Sequence, residues 1–414
     1  MVGQNRSAWK LLPVYLCLLG FPFGIALQNL VAMLCSIFLV ITVASRRDVC
    51  AIKHGIYKLR WPVLASIGFV GWICIATYLN PKNPLSGFYH NPCGYFFWIL
   101  APLLFYLNYR QGLSEIEWFR ASRILAIVGF LWGVCSVSQA LWGWRILGNQ
   151  FIFEPHFRPR GFYSHPLTLA YAAFILWPLA INWLFRSINR YWAWLFAIGV
   201  LASVWFTRSR TIQAAAFLIF AWNGFFSLKG QMRRVVLALG VTFIASIVLV
   251  PNQCTQKFVN TFSQIGVDKH SNYPDDRLAF WHVHWNMVKE RPVLGHGFTL
   301  DTAYRLPYYK KVGLDDFSKP YEAHNMFLQI LANGGLLGLS GFLIWYFWFL
   351  WFALKQQDPL LRKIGWQTLI GFALVGLTQN AFQDSSVRMV LTLFCAGFLL
   401  ASFSPNLSKT SPHS

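Results

Sequence analysis

The sequence predicts an all-α integral membrane protein with about 12 transmembrane helices and one large, partly helical external loop between helices 9 and 10. Three observations carry this prediction. Of the 414 residues, 56% are hydrophobic and 12% are charged, whereas soluble domains carry about 25% charged residues. Apolar runs long enough to cross a bilayer recur along the chain. A single long polar stretch, 252–323, interrupts them. We therefore expect one polytopic membrane domain over 1–414 that carries this loop.

The apolar runs are 16–20 residues long, close to the roughly 17–25 residues that cross a hydrocarbon core of about 30 Å. They are 11–28, 29–45, 61–79, 94–109, 124–143, 166–185, 192–207, 211–227, 234–251, 336–354, 364–382 and 386–404. A tight turn near Gln28 and Asn29 separates the first two. The first run has no small-residue cleavage site, so we expect it to be retained and not removed as a signal peptide. We expect the polar tail 405–414 to be cytoplasmic.

The distribution of basic residues predicts the orientation of the chain. With both termini in the cytoplasm, most Lys and Arg residues fall on the cytoplasmic side, as the positive-inside rule requires. The rule also explains much of the net charge of +21, so we expect membrane lipids and no nucleic acid among the partners. The outer exceptions are Lys82, Arg145, Arg158, Arg160, Arg208, Arg210 and Arg388. Those from Arg145 to Arg210 flank spans five to eight, and we expect them to face one shared site.

Cysteine positions do not indicate a metal centre. Of the eight cysteines, Cys93 and Cys254 are the two expected on the outer, oxidising side. A disulfide between them is one alternative, and two free thiols are the other. The sequence has no CxxC motif and no Cys/His cluster, so we expect neither a metal nor a cofactor.

The external loop has its own helical pattern. Asp275 or Asp276 is placed to cap a helix from Arg277 to Glu290, which Pro292 then terminates. An apolar stripe on this helix suits a location at the membrane interface. The stripe consists of Leu278, Trp281, Trp285 and Val288.

A second helix is expected to begin near Tyr321 and to break at Gly334 and Gly335, before the tenth span. A continuous helix from His324 to Leu354 would measure about 46 Å, which exceeds the bilayer core of about 30 Å. We therefore expect a kinked or re-entrant entry that places His324 near the outer surface.

His324 is the candidate general base. The positive end of a helix dipole disfavours the imidazolium form, and a neutral imidazole can accept a proton from a hydroxyl group. Glu322 and Asn325 lie beside it in the sequence, and we expect an arginine-rich face opposite. The alternative is an interfacial histidine that makes ordinary structural hydrogen bonds.

Arginines close to the hydrocarbon are the candidate anion ligands. Arg208 and Arg210 lie in a very short turn between spans seven and eight, with no acid nearby in the sequence. Such charges are costly near lipid without a partner, and arginine binds phosphate in a bidentate manner. Arg277 is the third candidate. The alternatives are snorkelling of Arg208 and Arg210 to lipid headgroups, and a salt bridge between Arg277 and its neighbouring acids.

A further basic cluster, Arg158, Arg160 and His165, precedes span six. We expect Arg160 and His165 to help bind the same ligand, with anchoring at the interface as the alternative. Aromatic candidates for stacking on sugar rings, for which interfacial anchoring is again the alternative, are Trp281, Trp285, Tyr308 and Tyr309. The middle of each predicted span lacks charged residues, which argues against an ion-coupled transporter.

Three motifs resemble the O-antigen ligase / O-antigen polymerase superfamily. They are Asp-Arg-Leu-Ala-Phe-Trp (276–281), Glu-Arg-Pro-Val-Leu-Gly-His-Gly-Phe (290–298) and His-Asn-Met-Phe-Leu-Gln-Ile-Leu-Ala-Asn-Gly-Gly-Leu-Leu-Gly (324–338). The spacing of His324 and Gly335 is similar to the loop motif of the O-antigen ligases. The turn 207–211 resembles the arginine-bearing turn of the family before span eight. Twelve spans with a large loop between spans nine and ten also match the ligase layout.

The resemblance implies a metal-independent, inverting glycosyltransferase of lipopolysaccharide biosynthesis, located in the inner membrane of a Gram-negative bacterium with its active site on the periplasmic face. The implied donor is an O-antigen linked to undecaprenyl diphosphate, and the implied acceptor is a sugar hydroxyl of lipid A–core. His324 would deprotonate this hydroxyl, while Arg210 and Arg277 would bind the diphosphate. The presence of Arg208 leaves the phosphate ligand in the turn open between Arg208 and Arg210. Asn325, beside the base, is expected to contact the substrate.

Three other functions compete with the ligase interpretation. An O-antigen polymerase would use the same donor but transfer it to another lipid-linked repeat. A protein O-oligosaccharyltransferase usually carries extra sequence beyond the membrane domain. A transporter would bind lipid-linked glycans without chemistry. His324 separates the last of these from the enzymes, because transport would survive its loss and glycosyl transfer would not.

Overall fold

The computed structural model describes residues 12–20, 59–79, 114–143, 158–186 without 164, 190–227, 276–297, 302–313 and 322–402, with a few isolated positions elsewhere. These residues form helices and turns, with no strand among them. In chain order the helices are α1 (Leu12–Gly20), α2 (Arg60–Tyr78), α3 (Glu115–Trp142), α4 (Pro166–Arg186), α5 (Arg190–Phe206), α6 (Arg210–Ser227), α7 (Asp276–Glu290), α8 (Thr302–Lys311), α9 (Met326–Leu354), α10 (Pro359–Gly376) and α11 (Ser385–Ser402). A short 3-10 helix, Ala381–Gln383, lies between α10 and α11. The all-α class is confirmed for these residues.

Five of the described helices are long and apolar enough to cross a membrane, namely α2, α3, α4, α9 and α11. Helix α5 is apolar but shorter. The number of about 12 spans stays a prediction, because some of the predicted runs are not described apart from isolated positions. Isolated positions apart, the predicted features that lie outside the described residues are the turn at Gln28 and Asn29, the runs 29–45, 94–109 and 234–251, the loop segments 252–275 and 314–321, the tail 405–414, and residues Lys82, Cys93, Arg145, Cys254 and Asp275.

Helix α4 lies at the centre of the bundle and packs against α5, α6, α10 and α11. Its side chains from Leu169 to Ile175 are buried. The indole nitrogen of Trp177 donates a hydrogen bond to the carbonyl of Ala216 in α6 at 2.8 Å. Because α4 is held on several sides, the turn that precedes it, with its basic residues, has a defined position.

Two helix starts differ from the predicted runs because capping side chains set them. Helix α9 begins at Met326 and not near Tyr321, since the Asn325 side chain accepts hydrogen bonds from two backbone amides of the first turn. Helix α10 begins at Pro359, ahead of the apolar run, since Asp358 caps it and a proline at the first position favours a helix start. A prediction from hydrophobicity alone does not detect either capping residue.

Helix α9 is interrupted at Gly335, as predicted, where φ is 63° and ψ is −168°. In a regular helix the amide of Leu336 would bind the carbonyl of Ala332. Here it donates instead to the carbonyl of Pro292 at 2.8 Å. The interruption therefore frees backbone groups of α9 to form hydrogen bonds with another segment. That segment is the turn following α7.

The turn 291–297 occupies this break. The amide of His296 donates to the carbonyl of Ala332 at 3.1 Å, and the amide of Gly297 donates to the carbonyl of Asn333 at 2.8 Å. A Cβ atom at Gly295 would lie 2.3 Å from the oxygen of Asn333, which explains the glycine at this position. The external loop is therefore bound to a membrane helix through backbone hydrogen bonds.

Four turns meet at one end of the bundle, which we call the polar end. They are 158–163, 207–209, 322–325 and 377–384. Arg158 Nε donates to the carbonyl of Thr207 at 2.7 Å and joins the first two. Asn380 Nδ2 donates to Glu322 at 2.7 Å and joins the last two. The hydroxyl of Thr168, in the first turn of α4, donates to the carboxylate of Asp384. This hydrogen bond links the start of α4, which follows the turn 158–163, to the turn 377–384. Residues far apart in the sequence are thus brought together.

Candidate active site

His324 lies at the polar end, directly before the cap of α9. Its backbone adopts the left-handed region with φ 47°, a conformation that is uncommon for residues other than glycine. The next residue, Asn325, accepts hydrogen bonds through Oδ1 from the amides of Phe327 and Leu328, both at 3.0 Å. The cap and the positive φ together place the imidazole at the N-terminus of α9. His324 therefore lies directly before the first turn of α9, and its location near the outer surface stays a prediction.

The imidazole of His324 is held on two sides. Nδ1 lies 3.0 Å from the side-chain oxygen of Gln379, in the turn after α10. The ring of Phe280, in α7, packs against it with ring centroids 5.6 Å apart and an interplanar angle of 36°. Residues from the external loop and from the bundle thus both contact the candidate base.

The turn 377–384 contains residues that the sequence pattern missed. Gln379 contacts His324, and Asn380 binds Glu322. Both lie within the apolar run 364–382, which was interpreted as one continuous span. The polar run Thr378-Gln379-Asn380 near the end of this apolar run was the signal that could have identified them.

Arg388, expected in an outer loop, is fully buried in the first turn of α11. Its Nη1 donates to the carbonyl of Phe382 at 2.9 Å, and its guanidinium lies 6.0 Å from the centroid of the Phe382 ring. Asp384 caps α11 by accepting from the amide of Ser386 at 2.9 Å. This arginine therefore stabilises the turn 377–384 from within the bundle.

Arg277 reaches the polar end from the external loop. It lies in the first turn of α7 and is half-buried, and its charge acts on the phenol of Tyr171 in α4. Phe280, three residues along the same helix, contacts His324. Because side chains three residues apart in a helix are neighbours, about 5–6 Å between Cβ atoms, α7 brings Arg277 and His324 to the same region.

The basic cluster before α4 is joined to the turn between α5 and α6. Arg158 binds the carbonyl of Thr207. Burial and then the charge of Arg208 lower the pKa of Arg158. The pKa of His165 is lowered by desolvation, and also by Arg158 and Arg160, while Asp384 opposes the effect. Positive charges are thus concentrated around these two turns, as is typical of a site that binds an anion.

Gln139, near the end of α3, holds the turn that carries Arg160. Its side-chain oxygen accepts from the amides of Arg160 and Gly161, at 3.0 and 2.9 Å, and its nitrogen donates to the carbonyl of Gly161. Nε of Arg160 is buried and has no hydrogen-bond partner among the described residues. Arg210, the first residue of α6, is exposed at the same end of the bundle.

The aromatic candidates separate into two groups. Trp281 is half-buried and Trp285 is exposed, so both remain accessible for a ligand or for lipid. Tyr308 and Tyr309 are buried in the core of the loop, and the interpretation of these two as stacking platforms for sugars is wrong. They pack against α7, which the sequence did not indicate because α8 was not predicted.

A buried layer of polar residues lies beneath His324. His284 is fully buried and donates from Nδ1 to the carbonyl of Phe280 at 2.8 Å. The pKa of His284 is lowered to about 3, chiefly by burial and to a lesser extent by Arg305, His324 and His296, while the hydrogen bond to Phe280 opposes the shift. His296 connects the carbonyl of Met287 to the hydroxyl of Tyr304. A neutral His284 adds no positive charge next to the candidate base.

Within the described ranges, no three His, Cys, Asp or Glu side chains are grouped as metal ligands would be. Of the described cysteines, Cys17, Cys135 and Cys395 are buried and Cys74 is half-buried.

Residues 192–343 match the family model described as O-antigen ligase. The three sequence motifs and the turn 207–211 all fall within this segment, which extends from α5 into α9. The predicted resemblance to the O-antigen ligases is therefore confirmed over this part of the chain. The match supports a membrane enzyme of the glycosyltransferase type that acts on a lipid-linked glycan and a lipid acceptor. No curated protein sequence matches the chain.

Proposed function

From the family assignment over residues 192–343, we propose that this protein is an O-antigen ligase. It transfers a glycan from undecaprenyl diphosphate to a sugar hydroxyl of lipid A–core, on the periplasmic face of the inner membrane of a Gram-negative bacterium. One observation supports the chemistry most directly. His324, at the N-terminus of α9, meets residues of the external loop and of the bundle at the polar end.

The transfer is a single displacement in which His324 is the general base. The acceptor hydroxyl gives its proton to Nε2 of His324, and its oxygen forms a bond to the anomeric carbon of the donor glycan. The bond from this carbon to the diphosphate oxygen breaks, and the electron pair leaves with undecaprenyl diphosphate. Attack opposite the leaving group inverts the configuration at the anomeric carbon.

Arginines supply the positive charge that a metal ion supplies in other glycosyltransferases. Negative charge grows on the diphosphate as the glycosidic bond breaks, and guanidinium groups that face it stabilise the transition state. Arg277 lies three residues before Phe280 on α7, and the ring of Phe280 contacts His324. Arg210 completes the clamp from the start of α6. Arg158, Arg160, Arg208 and His165 bind the remaining anionic part of the substrates, and Trp281 and Asn325 contact their sugars.

The test is a lipopolysaccharide gel from a Gram-negative host that lacks its own ligase, has matching core and O-antigen genes, and expresses this chain. A polymer ladder on lipid A–core supports the ligase. A change in glycan length on the lipid carrier, without a ladder on lipid A–core, would support an O-antigen polymerase, which shares the donor. Transfer of glycan to protein, or movement of the lipid-linked glycan without transfer, would support the other two alternatives.

A further inference from the structure

The contact between Gln379 and His324 decides which nitrogen of the imidazole carries the proton. The side-chain oxygen of Gln379 lies 3.0 Å from Nδ1, and a carbonyl oxygen only accepts hydrogen bonds. The proton is therefore on Nδ1, and the lone pair is on Nε2. We propose that Gln379 is a positioning residue that holds His324 in the tautomer and orientation of a general base. This inference rests on the proposed function of His324.

The turn that carries Gln379 is held from both sides. On one side, the amide of Thr378 donates to the carbonyl of Val375 at the end of α10. On the other side, Asn380 binds Glu322, two residues before His324. Buried Arg388 binds the carbonyl of Phe382 farther along the same turn. Gln379 is therefore a fixed acceptor and not a mobile surface side chain.

His324 needs such a partner because its own backbone is in an uncommon conformation. A non-glycine residue with φ 47° persists where the surrounding structure holds it. Phe280 limits movement of the imidazole by packing against the ring, but an aromatic ring contact does not select a tautomer. The hydrogen bond to Gln379 supplies that selection.

A neutral amide suits this site better than the carboxylate that orients histidine in many hydrolases. A carboxylate beside His324 would stabilise the imidazolium, which cannot act as a base. It would also repel the diphosphate of the donor. The amide oxygen of Gln379 selects the tautomer without adding a charge.

The test compares Gln379→Glu and Gln379→Met in the full-length protein in detergent. Matched controls are Gln356→Glu and Gln356→Met, just beyond the far end of α9, where the side chain donates to the carbonyl of Phe352 in the last turn of that helix. Two quantities are measured against pH. The first is the hydrogen–deuterium exchange at the imidazole C2 position of His324, followed by mass spectrometry, which reports its protonation without any catalytic turnover. The second is kcat/KM for glycan transfer.

In Gln379→Glu, the midpoint of the exchange profile at His324 should move to higher pH by about 1 unit or more. The acidic limb of the rate profile should move with it. In Gln379→Met, kcat should fall on the order of 10–100-fold, while KM for the donor stays the same. The Gln356 variants should match the wild type in both measurements.

An unchanged exchange profile in Gln379→Glu would overturn the contact, whether or not the protein transfers glycan. A wild-type kcat in Gln379→Met would overturn the positioning role. A shift of the exchange profile without a shift of the rate profile would overturn His324 as the base, and the role of Gln379 in transfer with it. The first outcome concerns Gln379 alone, whereas the last concerns the proposed function.

Discussion

His324 and Arg208 are the two non-glycine residues with positive φ in the described part of the chain, at 47° and 53°. Both were predicted site residues from their chemistry alone. Residues held in such conformations often occur at functional sites. Neither conformation could be predicted, because a left-handed backbone is uncommon at any one non-glycine residue, even at histidine, where it is enriched.

Replacing His324 with alanine should abolish transfer and leave the protein folded and inserted. Loss of a general base costs typically 10²–10⁴-fold in rate, and the substitution removes no buried core side chain. The measurement is the lipopolysaccharide ladder together with the thermal unfolding temperature of the purified protein. His282→Ala, at an exposed position on α7, is the matched control and should keep the ladder. A ladder of normal intensity in His324→Ala would rule out the general base.

Replacing Arg277 with alanine should weaken the binding of undecaprenyl diphosphate. A hydrogen bond to a charged group contributes about 1.5–3 kcal/mol, which corresponds to roughly a 10–100-fold loss of affinity. Lysine at this position should restore part of the affinity, since it keeps the charge and loses the bidentate geometry. The comparison is with Arg291→Ala, just beyond the other end of α7. Equal affinities in all three variants and the wild type would make Arg277 a structural residue.

Much of the site was accessible from the sequence because its members are charged or titratable. Arginine near hydrocarbon and histidine near a helix start stand out against an apolar chain. Gln379 did not, because a neutral amide carries no charge and lies within a run that scores as apolar. Its importance depends on a contact between turns far apart in the sequence, which no single-sequence pattern can indicate.

At the scale of elements, α7 and the break in α9 were predicted closely. The helix expected over 277–290 is Asp276–Glu290, and the break expected at Gly334 and Gly335 occurs at Gly335. Helix α8 was missed, since it is polar and contains Pro307. The stripe on α7 was only partly informative, because Leu278 and Trp285 are exposed while Phe280, Val283 and Met287 form the buried face. Its location at the membrane interface stays a prediction.

Replacing Gly335 with alanine should detach the loop from α9. The added Cβ atom would lie 2.1 Å from the carbonyl oxygen of Val293, and φ is 63° at this position. We expect a lower unfolding temperature and loss of transfer, because α7 carries Arg277 and Phe280 to the site. Gly71→Ala, in α2 with no atom within 4 Å of the added Cβ, should be neutral or stabilising by up to about 1 kcal/mol. Equal unfolding temperatures for the two variants would contradict the docking of the loop into the break.

At the scale of the whole molecule, the bundle places four polar turns at one end. The helices α4, α5 and α6 reverse direction from one to the next, and so do α9, α10 and α11. The turns before α4 and α6, before α9 and after α10 therefore share the polar end. The positive-inside rule predicts that this end faces the periplasm. That prediction depends on charge counts along the whole chain and not on the contacts within the bundle.

Cysteine labelling in intact cells should establish the orientation. Val293→Cys, exposed in the turn after α7, should react with a membrane-impermeant maleimide added outside the inner membrane. Lys355→Cys, exposed just beyond α9, should react only after the membrane is permeabilised. Both signals are measured above the labelling of the wild-type cysteines. The reverse pattern would place the polar end in the cytoplasm, away from a periplasmic donor and acceptor.

The joint between the loop and α9, meaning the backbone hydrogen bonds between 292–297 and 332–336, is made by main-chain groups. It therefore does not depend on the identity of most side chains around it. Such a joint depends on the backbone at these positions and on the glycines Gly295 and Gly335, and not on most other side chains of the loop. The surface of the loop can therefore change in sequence without loss of its attachment to α9.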